Sequence, residues 1–245
     1  NVSIRTTLAA NQPLIVGLSM AGGSKPVLVR AVGPGLAAFG VGDAMPDPEL
    51  ALFGAGQLLA GNDDWGGGAD LAAAFSAVGA FSLAPASLDA ALLGPVDGGR
   101  TAQVSGPAGG NVLVEAYDAG TGNTPRLVNV SARNRIGSGG DVLIAGFTLT
   151  GNTTKTVLIR AVGPTLGAFG VPGALNDPRL EVYSGATRVD ENDNWPAALA
   201  ATFERVGAFA LTPGSRDSAL LLTLPPGGYT VQVSGAGGTA GEALI

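Results

Sequence analysis

Two corners of the sequence gather the oxygen ligands that a hard cation wants. Asn62-Asp63-Asp64-Trp65 and Asn192-Asp193-Asn194-Trp195 set carboxylates and amides side by side, and Asp47 and Asp177, from the preceding turn, can join them. Such turns bind calcium, the one cofactor the sequence offers. The spacing matches neither an EF-hand nor a glycine–aspartate calcium repeat. The same residues serve as Asx turns that bond their own backbone while the tryptophan packs beneath. A second chemistry-bearing pair is Arg30 and Arg160, each set inside an apolar run. A buried arginine needs a partner, and Asp89 and Asp217, or Asp47 and Asp177, are candidates. The arginines read either as carboxylate- or sugar-binding groups or as ties between strands; the tie is the preferred reading. Asp89, Asp217, Trp65 and Trp195 complete the set of structural candidates.

Catalytic chemistry finds little else to use. The chain has no His and no Cys, which removes a Ser-His-Asp triad and thiolate metal sites. The glycine runs form neither a Walker loop nor a dinucleotide fingerprint. No carboxylate pair for glycoside hydrolysis stands out beyond the acidic turns. An enzyme is therefore not expected. With 13 Lys and Arg against 19 Asp and Glu, the net charge of -6 argues against nucleic acid and anionic lipid as partners. No run of 18 apolar residues is present, so no membrane insertion is expected.

The elements that carry these residues are written twice. Val27-Leu28-Val29-Arg30-Ala31-Val32-Gly33-Pro34 returns as Val157-Leu158-Ile159-Arg160-Ala161-Val162-Gly163-Pro164. Gln103-Val104-Ser105-Gly106 returns as Gln232-Val233-Ser234-Gly235. In the anchor both faces are mostly apolar, as in a central strand covered on both sides. A preceding apolar run, Leu14–Leu18 or Val142–Phe147, reads with the anchor as a hairpin. Ser218–Leu224 and Tyr229–Ser234 read as another. A single helical turn is expected over Leu36–Val41 and Leu166–Val171. One helix per copy follows the Trp, from Leu71, Phe75 and Val78 or Leu199, Phe203 and Val206, with Gly79 and Gly207 at the C-cap.

Forty glycines, only 13% charged residues and turns every few residues suit an all-β chain. The expected architecture is two tandem jelly-roll-like β-sandwich domains, each with one short helix. Residues 1–120 form the first, 121–125 the linker and 126–245 the second.

The combination of Arg126-Leu127-Val128-Asn129-Val130-Ser131, the Arg-Ala-Val-Gly-Pro anchor, Asn-Asp-Asn-Trp, Val-Gly-Ala-Phe and Tyr-Thr-Val-Gln-Val-Ser-Gly resembles a tandem β-domain repeat of large secreted proteins from Verrucomicrobia and related bacteria. The resemblance covers nearly all of both copies. The later half of each copy is similar, more loosely, to bacterial pre-peptidase C-terminal domains, non-catalytic sandwiches of which some bind calcium. These likenesses imply an extracellular or cell-surface location and a structural or binding role, and supply no catalytic residue.

Both ends of the sequence cut through predicted strands, and an incomplete edge templates pairing with another chain. The expected function is a subunit of a surface filament or stalk, joined head to tail to copies of itself through its terminal strands. The alternative is a non-catalytic module for polysaccharide binding or calcium-dependent adhesion, whose mark would be an exposed aromatic platform. Trp65, Trp195, Tyr183 and Tyr229 read equally well as core.

Overall fold

The computed structural model describes residues 1–122 and 124–245; Asn123, within the expected linker, lies outside the described residues. The chain divides into two compact units, Asn1–Ala132 and Arg133–Ile245. The division falls inside a strand, not in 121–125.

The first unit contains β1 (Val2–Leu8), β2 (Leu14–Ala21), β3 (Lys25–Val32), β4 (Glu49–Gly54), β5 (Gln57–Asn62), helix α1 (Ala69–Val78), β6 (Ala90–Val96), β7 (Gly99–Ser105) and β8 (Gly110–Asp118). Its strands pair antiparallel, and one isolated parallel bridge joins Ala44 to Asn111. One sheet runs β1-β8-β3-β6 and the other β2-β7-β4-β5. That order is a jelly roll, eight strands wound as two Greek keys.

The strand β9 (Arg126–Ile136) carries the chain across the division. Then follow β10 (Leu143–Leu149), β11 (Lys155–Ala161), β12 (Pro178–Ser184), β13 (Thr187–Asn192), helix α2 (Ala200–Arg205), β14 (Ser218–Leu224), β15 (Gly227–Gly235) and β16 (Gly241–Leu244). The order β10-β15-β12-β13 repeats the second sheet of the first unit. The other sheet is looser. β9 pairs β16 from Arg133 to Ile136, β11 pairs β14, and a single bridge, Val162–Leu244, joins the two pairs.

The two expected hairpins do not form. β2 and β3 lie in different sheets, as do β14 and β15. Consecutive strands that are both apolar pack best by crossing from one layer to the other, and Pro225-Pro226 between β14 and β15 offers no N–H to a ladder. Among the described residues, pairing between strands adjacent in sequence is confined to β4–β5 and β12–β13, with β-bulges at Leu52/Phe53 and Val182/Tyr183.

β2 alternates buried and half-buried residues, as a strand with one face on the core should. β3 does not: from Val27 to Val32 every residue is buried. One face points into the sandwich. The other packs under α1, where Leu28, Val32, Trp65, Phe75, Leu83 and Tyr117 form one cluster. α2 is shorter than expected. It begins as a 3-10 turn at Ala197–Leu199 and stops at Arg205, so Val206 is 56% exposed and does not reach the core.

Each anchor ends in a glycine for a steric reason. The expected helical turns are 3-10 segments, Pro34–Phe39 and Pro164–Phe169. The chain must enter them against the backbone of residues 45 and 175. A Cβ on Gly33 would stand 2.0 Å from the Met45 carbonyl oxygen, and one on Gly163 2.0 Å from that of Leu175. Gly163→Ala should therefore lower stability by about 3 kcal/mol, the upper range for a single substitution. Gly167→Ala, whose new Cβ meets nothing within 4 Å, should stay within about 0.5 kcal/mol of the parent. Urea denaturation midpoints of the two variants give the comparison.

Candidate functional site

Antiparallel pairing sets Arg30 of β3 opposite Glu115 of β8, which puts both side chains on one face. Arg30 is 0% exposed. Its Nε donates to Glu115 Oε2 at 3.0 Å, and Nη2 donates to the same oxygen. Nη1 donates to the Phe81 carbonyl at 2.6 Å. The guanidinium lies 4.3 Å from the Phe81 ring centre and 4.8 Å from that of Phe75. Tyr117, two residues along β8 and so on the same face, donates its hydroxyl to Glu115 Oε1 at 2.7 Å. Burial, then the hydrogen bond to Glu115 and its charge, push the Tyr117 phenol far above its ordinary range, so it stays a donor. The arginine is a tie between strands, but neither Asp89 nor Asp47 is its partner. Glu115 was legible by the rule that flagged Arg30: it is the lone acid in the apolar run Val112–Tyr117.

Asp89 and Asp217 have another task. Asp89 Oδ1 accepts the Gly33 N–H at 2.8 Å, and Oδ2 accepts the Gly35 N–H at 3.1 Å and the Ser87 hydroxyl at 2.8 Å. In the second unit Asp217 Oδ1 accepts the N–H of Gly163 at 2.8 Å and of Thr165 at 3.3 Å. Its Oδ2 accepts the Ser215 hydroxyl at 2.5 Å and the Thr165 hydroxyl. Each carboxylate thus holds the free N–H groups at the start of the 3-10 segment, which no helical carbonyl can satisfy. The carbonyls of the same two residues accept the N–H of Trp65 at 2.8 Å and of Trp195 at 2.7 Å. Trp65 is buried and Trp195 half-buried; their indoles donate to Ala84 O at 2.9 Å and to Ser215 Oγ at 3.1 Å respectively.

Arg160 repeats only part of the Arg30 arrangement. Nη1 donates to the Phe209 carbonyl at 2.6 Å, and the guanidinium lies 4.3 Å from the Phe209 ring centre and 5.1 Å from that of Phe203. Among the described residues no carboxylate comes within ion-pair distance. Desolvation lowers its pKa, and the charge of Asp217 opposes this.

The acidic corners are braced turns. Asn62 accepts the Ala91 N–H at 2.8 Å and donates to the Asp64 carbonyl at 2.8 Å. Asn192 accepts the Ala219 N–H at 3.0 Å and donates to the Asn194 carbonyl at 2.9 Å. Both amides are therefore occupied in joining the turn to the next strand. Asp47 is raised above the usual carboxylate range, by desolvation first and then by the charges of Asp63 and Asp64. Asp177 pairs with Arg216 at 3.0 Å, and Asp193 accepts from Asn194 Nδ2 at 3.2 Å. Among the described residues no group of three or more Asp, Glu, His or Cys is placed to hold a metal ion.

Two surface depressions occur in the first unit. One of about 260 Å³ is lined by Phe53, Arg100 and Gln103, and one of about 220 Å³ by Trp65, Phe75 and Leu83. Both fall below the roughly 300 Å³ at which ligand pockets begin.

The chain matches no protein-family model and no curated protein. Among solved structures, "Crystal Structure of the STIV MCP" aligns over 100% of this chain and 97% of its own, at 9% identity and a TM-score of 0.22. "Life in the extremes: atomic structure of Sulfolobus Turreted Icosahedral Virus" aligns over 98% and 88%, at 10% identity and a TM-score of 0.19.

The buried pair makes a sharp energetic statement. Breaking it strands a charge, whereas replacing both members by apolar groups does not. Glu115→Gln and Arg30→Met should each cost about 3–5 kcal/mol, and Arg30→Met/Glu115→Leu together should cost less than either alone. A double-mutant cycle by chemical denaturation measures the coupling.

Proposed function

We propose that the protein is a non-catalytic structural subunit of the cell exterior, assembling with copies of itself by strand addition to form a filament or stalk. The observation that carries this is the outer edge of the first unit. β5 borders only β4 among the described residues, and its middle residues Leu58 and Leu59 are 63% and 54% exposed. An edge strand that is apolar and uncharged templates pairing with another chain. The corresponding strand β13 is guarded instead, by an ion-pair network of Arg179, Glu181, Arg188 and Glu191. The use of the buried acids as internal ties supports a role without chemistry.

A second reading has its own support. Phe39 and Phe169, at matching places in the two units, are each 60% exposed and stack edge-on against Phe81 and Phe209. A polysaccharide-binding or calcium-dependent adhesion module would use such rings as its aromatic surface.

Negative-stain electron microscopy at neutral pH should show regular filaments. Leu58→Lys/Leu59→Glu should disperse them while leaving the melting temperature within about 2 °C, since both side chains are on the surface. Dispersed particles from the parent protein, with retention on a polysaccharide column that Phe39→Ala/Phe169→Ala removes, would establish the second reading instead.

A further inference from the structure

Arg100 of β7 stands where the second unit has Tyr229. Leu18 lies opposite Arg100 in the β2–β7 ladder, and Phe147 opposite Tyr229 in the β10–β15 ladder. Tyr229 is buried and satisfied: its ring stacks on Phe147 at 5.4 Å and its hydroxyl donates to the Pro225 carbonyl at 2.8 Å. Arg100 is half-buried and is not satisfied. Its Nη1 donates to the carbonyl of neighbouring Gly99 at 2.8 Å, and its Nε is buried with no acceptor. Among the described residues no carboxylate comes within ion-pair distance of it. The stem is fixed by close approach, since a Cβ on Gly54 would stand 3.2 Å from Arg100 Cδ. The guanidinium lines a depression of about 260 Å³ together with Phe53, Thr101 and Gln103. Phe53 lies opposite Thr101 in the β4–β7 ladder and Gln103 is two residues along, so these three share one face. On the matching face of the second unit Glu181 replaces Ala51, and it accepts from the Tyr183 hydroxyl at 3.2 Å and from Arg188 at 3.0 Å. The second unit answers its own cations there, and the first does not.

We propose that this depression binds a uronic acid residue of an acidic polysaccharide. The carboxylate takes the guanidinium, whose planar donors match its two oxygens. The sugar ring lies along Phe53, with its C–H groups toward the electron-rich face. Thr101 and Gln103 both donate and accept, as ring hydroxyls require. The depression is too small for a drug-sized molecule but has room for one sugar ring. An acidic peptide is less well served. β7 is hydrogen-bonded to β2 on one side and to β4 on the other, so it leaves no ladder groups for an added strand. Because Gly54 and Gly99 already hold the arginine, little ordering is lost when the ligand arrives. The site uses none of Phe39, Phe169, Leu58 and Leu59, and it rests on neither functional reading above.

The test is affinity electrophoresis of the whole protein through gels containing polygalacturonate, with a chelator present to remove calcium. The parent should be retarded, and the fully methyl-esterified polymer should retard it far less. Arg100→Met keeps the stem and drops the charge. It should weaken the interaction about tenfold or more, the worth of one hydrogen bond to a charged group. Arg5→Met, at an exposed arginine, should change nothing, and neither should Phe39→Ala/Phe169→Ala. Urea midpoints show whether Arg100→Met is folded. If it is not, Gln103→Ala makes the same comparison, with an expected loss of about threefold or more. No retardation of the parent overturns the site. So does equal retardation by the ester or by polyglutamate, or undiminished binding by the folded Arg100→Met or by Gln103→Ala. Binding lost in Phe39→Ala/Phe169→Ala and kept in Arg100→Met overturns it as well, and assigns the sugar to the exposed rings.

Discussion

A guanidinium in the middle of a strand is the constraint to which the rest answers. Arginine does not shed its proton in a protein, so burial cannot be relieved by neutralisation as it can for a carboxylic acid or a lysine. Its charge must be met in place. In the first unit this requirement reaches outward through several elements. β8 must lie beside β3 in the register that brings Glu115 to Arg30. The second oxygen of Glu115 then needs a donor, which Tyr117 provides. The remaining guanidinium nitrogen needs an acceptor, which fixes the Phe81 carbonyl beyond α1. The aromatic rings close the site against water. A strand, its neighbour and a loop after the helix are thereby held by one side chain.

The aspartate clamp is the second fixed point, and it explains why the two copies keep so much sequence. A close approach at Gly33 and Gly163 forces the chain to turn at once into a 3-10 segment. That segment leaves its first N–H groups unmet, and Asp89 and Asp217 meet them. The same two residues use their backbone carbonyls to seat the tryptophans. Glycine, aspartate and tryptophan are thus bound into one geometry and change together or not at all. The edge strands have no such obligation. β5 is neutral where β13 carries a charged network, because side chains on an edge are constrained by solubility and pairing and not by packing.

Much of this is legible in the sequence. The repeat, the all-β class, the position of the helices and the coverage of β3 on both faces follow from apolar runs and turn residues. Nearness in sequence suggests hairpins that do not form. β2 and β3 are each long enough and apolar enough to pair, and nothing in either run says that the partner is β7 or β8. Glu115 was missed for a different reason. The aspartates that the sequence offers as partners of Arg30 lie in turns and at strand starts, where acids are common, whereas Glu115 lies inside a strand, where an acid is costly and therefore informative. The amide nitrogens of Asn62 and Asn192 donate back into the turn, a bracing role that residue type and spacing alone do not reveal. Nothing in the sequence marked the division at Ala132, since it falls within a continuous strand.

The two units differ in the contacts their open edges permit. An isologous contact needs a patch complementary to itself. The β5 edge carries no charge, so pairing with its own copy meets no electrostatic objection. The β13 edge is set differently. Arg179, Glu181, Arg188 and Glu191 form a charged network along it, and a strand brought against that edge must first take those charges out of water. A neutral edge and a charged one on equivalent strands therefore differ in how readily each accepts a partner, although the backbone groups they offer are the same.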